Sequence, residues 1–542
     1  MLPEESHDVS GAKILAGRTL HNVPVPLTRP TPRAVVALSM VAAVLGRIPS
    51  LQWPMRPDEA GFLLVARAWH PEPDSMFGTY WVDRPPPIIA LFKLSDWIGG
   101  PYFIRVVAAV AAAVFVLAAA GTARRLADYA GARGADRIGA WVAVATAALT
   151  SQAAIDSVAA KGEILGLPVV MGACWFAIGA LMRRSVWHAG AAGLLAVLAI
   201  GLKQNLFGGL VFGGVLLLGA LLTKRLDRRD FTRLAGAALA GGTVPVLAVV
   251  GWGLVVGVRL STLAFVTFGF RVEASEVLAQ QPSSTIDARI HTLFLITIVS
   301  GLGALMLWFV LRVPRLVRRS VVPTAAVAAM LVVDSAGVFL SGSYWRTYLL
   351  VPIAPAVLAL GLLLADEQLM ARHWRHWIGL TTRVLVAFTV VSSAVSVVEW
   401  ERTRNDYLPT EYLTGRAIGE AAQPGDTLVA YGGRADIQWA SGLRSPYEHL
   451  WSLPMRTLDP DLDELGAILT GPDAPTWFVQ SKRLDEWSEA GTDEIREELL
   501  EDYELVSIAC GAYRIYHQRR LVRPELEVDC DQPFDRLVPI FT

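Results

Sequence analysis

Two polar knots in an otherwise apolar N-terminal half carry the residues best suited to chemistry. Asp58-Glu59 follows directly after the first long apolar stretch, and Asp83-Arg84-Pro85-Pro86-Pro87 precedes the next one. Ionisable groups close to a bilayer are costly, so at a membrane face they are functional candidates by default. A carboxylate can take the proton of an attacking hydroxyl, and the planar fork of arginine suits a phosphate. Between the knots lie Trp53, Phe62, Trp69, Phe77, Tyr80 and Trp81. These predict an aromatic-rich loop lying at the membrane surface, and with it chemistry on a substrate that is half in lipid and half in water.

The elements that must position these groups are membrane helices. The 542 residues are 53% hydrophobic and only 18% charged, against about 25% charged in ordinary soluble domains. A span of the hydrocarbon core needs roughly 20 apolar residues. Eleven such stretches lie near 34–52, 102–122, 138–155, 163–182, 186–202, 205–222, 234–257, 291–311, 320–341, 346–364 and 378–398. The stretch 86–99 is shorter, carries Lys93 and Asp96, and reads as an interfacial helix. The net charge of −1 says nothing about nucleic acid, but there is no basic domain to steer one, and no nucleic-acid partner is expected. Arginine far exceeds lysine and Ala and Gly abound, a composition of bacterial type.

Basic clusters mark alternate loops: Arg124 to Arg137, Arg183-Arg184, Lys224 to Arg233, Arg312 to Arg319, and Arg372 with Arg375. By the positive-inside rule these face the cytoplasm. The other side then holds 53–101, 156–162, 203–204, 258–290, 342–345 and everything after about 399, including every suspect polar residue. Residues 1–33 read as a disordered cytoplasmic tail, without the pattern of a cleavable signal peptide. Residues 34–400 form the transmembrane domain, with 53–101 as its first outer loop. Residues 401–542 turn charged, with β-like runs at 427–431, 476–479 and 513–516 and a helical stretch from Thr492 to Tyr503. They predict a small extracytoplasmic α/β domain. Cys510 and Cys530 can pair in an oxidising compartment, whereas Cys174 sits in an apolar stretch as packing.

Each polar candidate also has a plain structural reading. Asp58 or Glu59 can cap a short helix after Pro57, Asp83-Arg84 can be a local ion pair, and Lys161 and Lys203 can snorkel to the interface. Arg346, beside Tyr344, Trp345 and Tyr348, can be an interfacial anchor. The loop 258–290 reads either as a mobile cover or as a solvated connector. Trp439, Tyr447, His449, Trp451 and Trp477 can stack on sugar rings or form core. No His, Cys or carboxylate run has the spacing of a zinc site, and His291 alone reads as structural.

Arg56-Pro57-Asp58-Glu59, Trp81-Val82-Asp83-Arg84-Pro85-Pro86-Pro87 and Phe103-Ile104-Arg105-Val106 resemble the start of type C (GT-C) integral-membrane glycosyltransferases. The nearest group is the bacterial aminoarabinose-transferase and protein-mannosyltransferase-like enzymes. Gly201-Leu202-Lys203 and the run Ser343 to Pro352 are similar to later elements of that group, as are Gly425-Asp426-Thr427 and Ser441-Gly442-Leu443-Arg444. The chain departs from it at Pro87, where leucine is usual, and at Thr347.

The resemblance implies a GT-C fold of about eleven transmembrane helices in a bacterial plasma membrane. It also implies transfer of a sugar, with inversion, from a polyprenyl-phosphate donor to an acceptor hydroxyl of an envelope glycan, lipid or protein. Asp58 is then the base, and Arg84, Lys203 and Arg346 are the donor-phosphate cations. Glu59, Asp83, Asp156 and Glu163 are candidates for an acceptor or second acidic site. The resemblance fixes no cofactor, and a divalent cation, Mg²⁺ or Mn²⁺, is compatible with it. The alternative is a transporter or flippase of a lipid-linked saccharide. Such a protein more often shows midplane charges and internal repeats, and this sequence has neither.

Overall fold

The structure, a computed structural model, describes residues 30–534 except 158, 281–282, 370–371, 405–406 and 487–490. The expected tail lies, up to residue 29, outside the described residues. The first helices are α1 (Pro32–Leu45), α2 (Pro57–Arg67), α3 (Pro86–Ile98), α4 (Gly100–Tyr129) and α5 (Ala135–Thr150). Next come α6 (Gly162–Arg183), α7 (Val186–Leu202), α8 (Gly208–Leu222) and α9 (Arg228–Val256). The series continues with α10 (Leu260–Ala264), α11 (Phe270–Ala279), α12 (Ser283–Val299), α13 (Leu302–Phe339), α14 (Ile353–Gln368) and α15 (Arg372–Arg404).

All eleven apolar stretches fall on helices. Among the described residues seven helical segments are long and apolar enough to cross a membrane, and α7 and α8 are shorter apolar helices. The chain is thus a multi-pass membrane protein. Two boundaries differ from expectation. Gly301, at φ +79°, splits the stretch 291–311 between α12 and α13. The basic segment 312–319, expected as a loop, is helical within α13, which departs from helical geometry only at Ser320, three residues before Pro323. Proline cannot donate to the preceding turn, so a break there costs little.

α14 is apolar all round and buried along its length, as expected of a helix at the centre of a bundle. Its polar end is neutralised: Asp366 pairs with Arg312 at 3.2 Å and with Arg319 at 2.9 Å, and Glu367 with Arg383 at 2.6 Å. α7 and α9 pack closely through small residues. A Cβ on Gly193 would lie 1.9 Å from the Ala238 carbonyl oxygen, so only glycine permits this approach.

The C-terminal part contains α16 (Thr410–Ala421), β1 (Leu428–Tyr431), α17 (Ala435–Ser441), α18 (Ser452–Leu458) and α19 (Asp463–Thr470). It ends with β2 (Trp477–Gln480), α20 (Thr492–Glu501), β3 (Tyr503–Ala509) and β4 (Tyr513–Gln518). The sheet order is β1-β2-β4-β3, with β1 and β2 parallel and the other pairs antiparallel. Three strands match the β-like runs of the sequence. β3 was not expected as a strand: it is the sheet edge, buried only at its ends, Tyr503 and Ala509. Cys510 and Gly511, at φ +50° and +68°, form the turn from β3 to β4, as a tight hairpin with two positive-φ residues requires. Cys510 is disulfide-bonded to Cys530, and Cys174 is free and buried.

The first loop does not present its aromatics to a membrane surface. Trp53, Phe62, Phe77 and Tyr80 are buried, and Trp69 and Trp81 are half-buried. They have a cover that the sequence did not reveal, because the C-terminal part packs on this loop, with α17 on α2, while α18 lies on α11. The Trp81 N–H donates to the Glu448 carbonyl at 3.1 Å, and the Ser445 N–H to the Tyr80 hydroxyl at 3.1 Å.

Candidate active site

Asp58 and Glu59 sit in the first turn of α2, after Pro57 at the first helical position, where proline's fixed φ favours a helix start. The capping role falls to Glu59, whose Oε2 accepts the Arg56 N–H at 3.1 Å. Glu59 is fully buried and engaged on both oxygens. Arg105 of α4 donates to Oε2 at 2.8 Å and to Oε1 at 3.2 Å, and the Ala160 N–H donates to Oε1 at 2.7 Å. Arg105 also donates to the carbonyls of Ser50, Trp53 and Pro54. Glu59 and Arg105 therefore pin the start of the first loop to α4. Expected as a possible acceptor ligand, Glu59 has no free oxygen with which to bind one.

Asp58, the residue before it on the turn, points into a charged cleft. Lys161, at the N-cap of α6, lies 3.3 Å from its Oδ2 and 3.3 Å from Asp156 Oδ2. Arg56 lies 3.6 Å from the other oxygen of Asp156. Asp156 can reach in because its backbone is left-handed, at φ +58°, a conformation that aspartate tolerates better than most residues. Trp451, just before α18, donates its indole N–H to Asp58 Oδ1 at 3.2 Å. Burial alone would raise the Asp58 pKa, but Lys161, followed by Arg84 and Lys203, overrides it and holds the carboxyl at about 2. The cations thus outweigh burial and leave Asp58 a weaker base than a free carboxylate.

Arg84 stands ahead of α3, whose Pro85-Pro86-Pro87 start keeps the preceding backbone extended. Its guanidinium bonds Asp83 at 2.6 Å and lies 5.5 Å from the centre of the Phe62 ring. Burial depresses the Arg84 pKa, but Asp83 and Asp58 more than offset this and leave it raised. Asp83 also pairs with Arg271 of α11. The segment 258–279 is thus neither an irregular lid nor a plain connector: α10, a π-turn at Phe265–Gly269 and α11 bring Arg271 to the cleft. Gln204 secures the same wall by donating to the Asp83 carbonyl at 2.7 Å.

Lys203, at the end of α7, pairs with the fully buried Glu163 at 2.8 Å and lies 5.3 Å from the centre of the Tyr348 ring. It does not snorkel. Burial pushes its pKa down although Glu163 pulls the other way.

The cleft therefore brings together Asp58, Asp83, Arg84, Asp156, Glu163 and Lys203, with Glu59 directly behind. Arg346 is elsewhere. It is exposed and lines a groove of about 490 Å³ with Arg289, Thr285, Thr292, Tyr344 and Trp345. Among the described residues no ion pair or hydrogen bond joins it to the cleft. Its aromatic neighbours suggested a place beside Tyr348, but the 3₁₀ turn Arg346–Leu350 turns Tyr348 inward and Arg346 outward. Sequence reasoning gave Lys161 only a snorkelling role, Trp451 only sugar stacking or core, and Arg271 only a place in the 258–290 loop. The scarcity of lysine was a usable signal for Lys161; no local pattern distinguished the other two. Tyr447 and Trp477 are core, and Trp439 lies under Arg67 at 4.6 Å.

The fold is that of type C integral-membrane glycosyltransferases. ArnT from Cupriavidus metallidurans in the apo state aligns with a TM-score of 0.57 at 14% identity, covering 89% of this chain and 96% of ArnT. The same protein bound to undecaprenyl phosphate gives 0.54 at 15% identity, covering 89% and 97%. The oligosaccharyltransferase of Archaeoglobus fulgidus in the apo form gives 0.52 at 11% identity, covering 93% of this chain and 75% of that one. No family model and no curated protein matches the sequence.

Proposed function

We propose that the chain is a glycosyltransferase that moves a sugar from a polyprenyl-phosphate donor to an acceptor hydroxyl at the extracytoplasmic face of the membrane. The observation that carries this reading is the Asp58 carboxylate, set among Lys161, Arg84 and Lys203. A carboxylate facing several cations suits a displacement in which a hydroxyl loses its proton as a phosphate departs. The acceptor oxygen bonds to the anomeric carbon, the bond from that carbon to the phosphate oxygen breaks, and the proton passes to Asp58. Polyprenyl phosphate leaves already anionic, so no general acid is needed, and a single displacement inverts the anomeric centre. Arg84 and Lys203 receive the phosphate charge, joined by Arg271 from α11. Because these cations are paired with Asp83 and Glu163, the phosphate competes with carboxylates for them. The disulfide between Cys510 and Cys530 fits an extracytoplasmic C-terminal domain over residues 401–542.

The test is incubation of the purified protein, in lipid nanodiscs, with a panel of polyprenyl-phosphate sugars and acceptor lipids and glycans. Release of polyprenyl phosphate, lost in Asp58→Asn, is the expected result. A protein that moves such lipids across vesicle bilayers but releases no polyprenyl phosphate from any donor would be a transporter, and the proposal would fail.

A further inference from the structure

A second charged cluster lies outside the cleft and takes no part in the reaction proposed above. Glu448 and His449 precede α18, and Glu464 is in the first turn of α19. One ligand atom from each lies within 4.8 Å of the other two. His449 Nε2 is 3.7 Å from Glu448 Oε1 and 3.6 Å from Glu464 Oε2, too far for hydrogen bonds. The His449 side chain is only 1% exposed, yet neither ring nitrogen has a hydrogen-bond partner. A buried polar group left in that state is costly, so a native one calls for an occupant between it and its neighbours.

The nature of the occupant follows from charge and spacing. Two carboxylates around one imidazole carry net negative charge whether or not the ring is protonated. An ion with bonds of about 2.1 Å holds tetrahedral ligands about 3.4 Å apart, within a few tenths of an ångström of the two separations from Nε2. Glu448 and Glu464 are partly exposed, at 34% and 44%, which leaves a side open for water or another ligand. We propose that Glu448, His449 and Glu464 bind a divalent transition-metal ion, with Zn²⁺ favoured by one imidazole and two carboxylates. Nδ1 has no acceptor of the kind that commonly orients a metal-bound imidazole. The ring is held by packing instead, with Tyr447 at 5.1 Å and Trp81 at 6.5 Å between ring centres.

The ion would act on position rather than on chemistry. It joins the segments on either side of α18. One of them is tied to the first loop through the Trp81 N–H bond to the Glu448 carbonyl and holds Trp451 over Asp58. Sequence spacing hides the site, since the first two ligands lie in a loop and the third comes from α19.

Full-length protein in detergent, stripped with EDTA, is titrated with Zn²⁺ alone by calorimetry, with metal content measured after dialysis. The expected result is one Zn²⁺ per chain and a raised unfolding temperature. Glu464→Gln and His449→Gln should each weaken binding by at least about tenfold, the scale on which even outer-shell changes act. Glu464 is exposed enough that its variant keeps the fold, as circular dichroism and gel filtration check. Wild-type protein that takes up no Zn²⁺, or a folded Glu464→Gln variant with wild-type affinity, overturns the proposal.

Discussion

The pairing of Asp58 with Lys161 makes a quantitative prediction that does not depend on the reaction. Asp58 is held at about 2 against an ordinary 3.8, a difference of about 1.8 units, worth at most about 2.4 kcal/mol at 1.36 kcal/mol per unit. Its side chain is 33% exposed, and solvent screening reduces the working figure to about 1 kcal/mol. The folded pKa is depressed, so this stability is fully present above the unfolded value. It is lost as pH falls through the folded one, with roughly half gone near pH 3. The perturbation is a double-mutant cycle of Asp58→Asn and Lys161→Ala, read by thermal unfolding in detergent. The net shift already sets burial against Lys161, Arg84 and Lys203, so the Lys161 share should be on the order of 1 kcal/mol at pH 7 and smaller at pH 3. A coupling below about 0.3 kcal/mol at pH 7, or one unchanged at pH 3, refutes the electrostatic account of Asp58. If Asp58 is also the base, Lys161→Ala should raise the acid limb of the transfer rate, because burial then acts with less opposition.

Four further outcomes are expected. Arg84→Ala should weaken binding of a polyprenyl-phosphate donor, while Arg346→Ala, out in its separate groove, should leave donor affinity unchanged; equal losses would put the phosphate elsewhere. Glu59→Gln should cost about 3–5 kcal/mol because it leaves the buried Arg105 undercompensated, and a melting temperature within about 2 °C of wild type would contradict this. Gly61→Ala puts a Cβ 2.2 Å from the Trp451 ring. It should cost about 1–3 kcal/mol, and adding Trp451→Ala should restore stability; absence of rescue would mean that the two do not press on each other. Reducing the disulfide, whose cysteines are 20 residues apart, should cost about 3 kcal/mol, with faster hydrogen exchange confined to residues after β4 as the signature.

What the sequence disclosed divides along a physical line. The helices of the bundle were legible because a membrane span needs a long apolar run, and no tertiary context is required to recognise one. The acids and cations at Asp58, Asp83, Arg84, Asp156, Glu163 and Lys203 were legible because charge is conspicuous beside such runs. Pairings were not legible, because they depend on which loops meet. Glu59 looked like a twin of Asp58, but one step along a helix is a turn of about 100°, enough to send one carboxylate to Arg105 and the other to Lys161. The same reasoning explains Arg346 and Tyr348, two residues apart and facing opposite ways. The first-loop aromatics were misplaced because nothing local says that a segment some 370 residues later will cover them.

That cover also bears on how the cleft works. Each cation is neutralised by a carboxylate: Lys161 by Asp58 and Asp156, Lys203 by Glu163, Arg84 by Asp83. A site arranged this way holds its charges without leaving any of them buried and unpaired. On the proposed reading the arrangement imposes an order. A phosphate that draws Arg84 and Lys203 toward itself removes part of the positive field that keeps Asp58 at about 2, so the carboxylate gains proton affinity as the donor settles. Donor binding would thus prepare the base, and a hydroxyl arriving first would meet a carboxylate too weak to deprotonate it. Trp451 belongs to the same device. Its N–H bond stabilises the ionised form of Asp58, and it reaches the cleft from the C-terminal part, so displacement of that part by an acceptor would strengthen the base in the same direction.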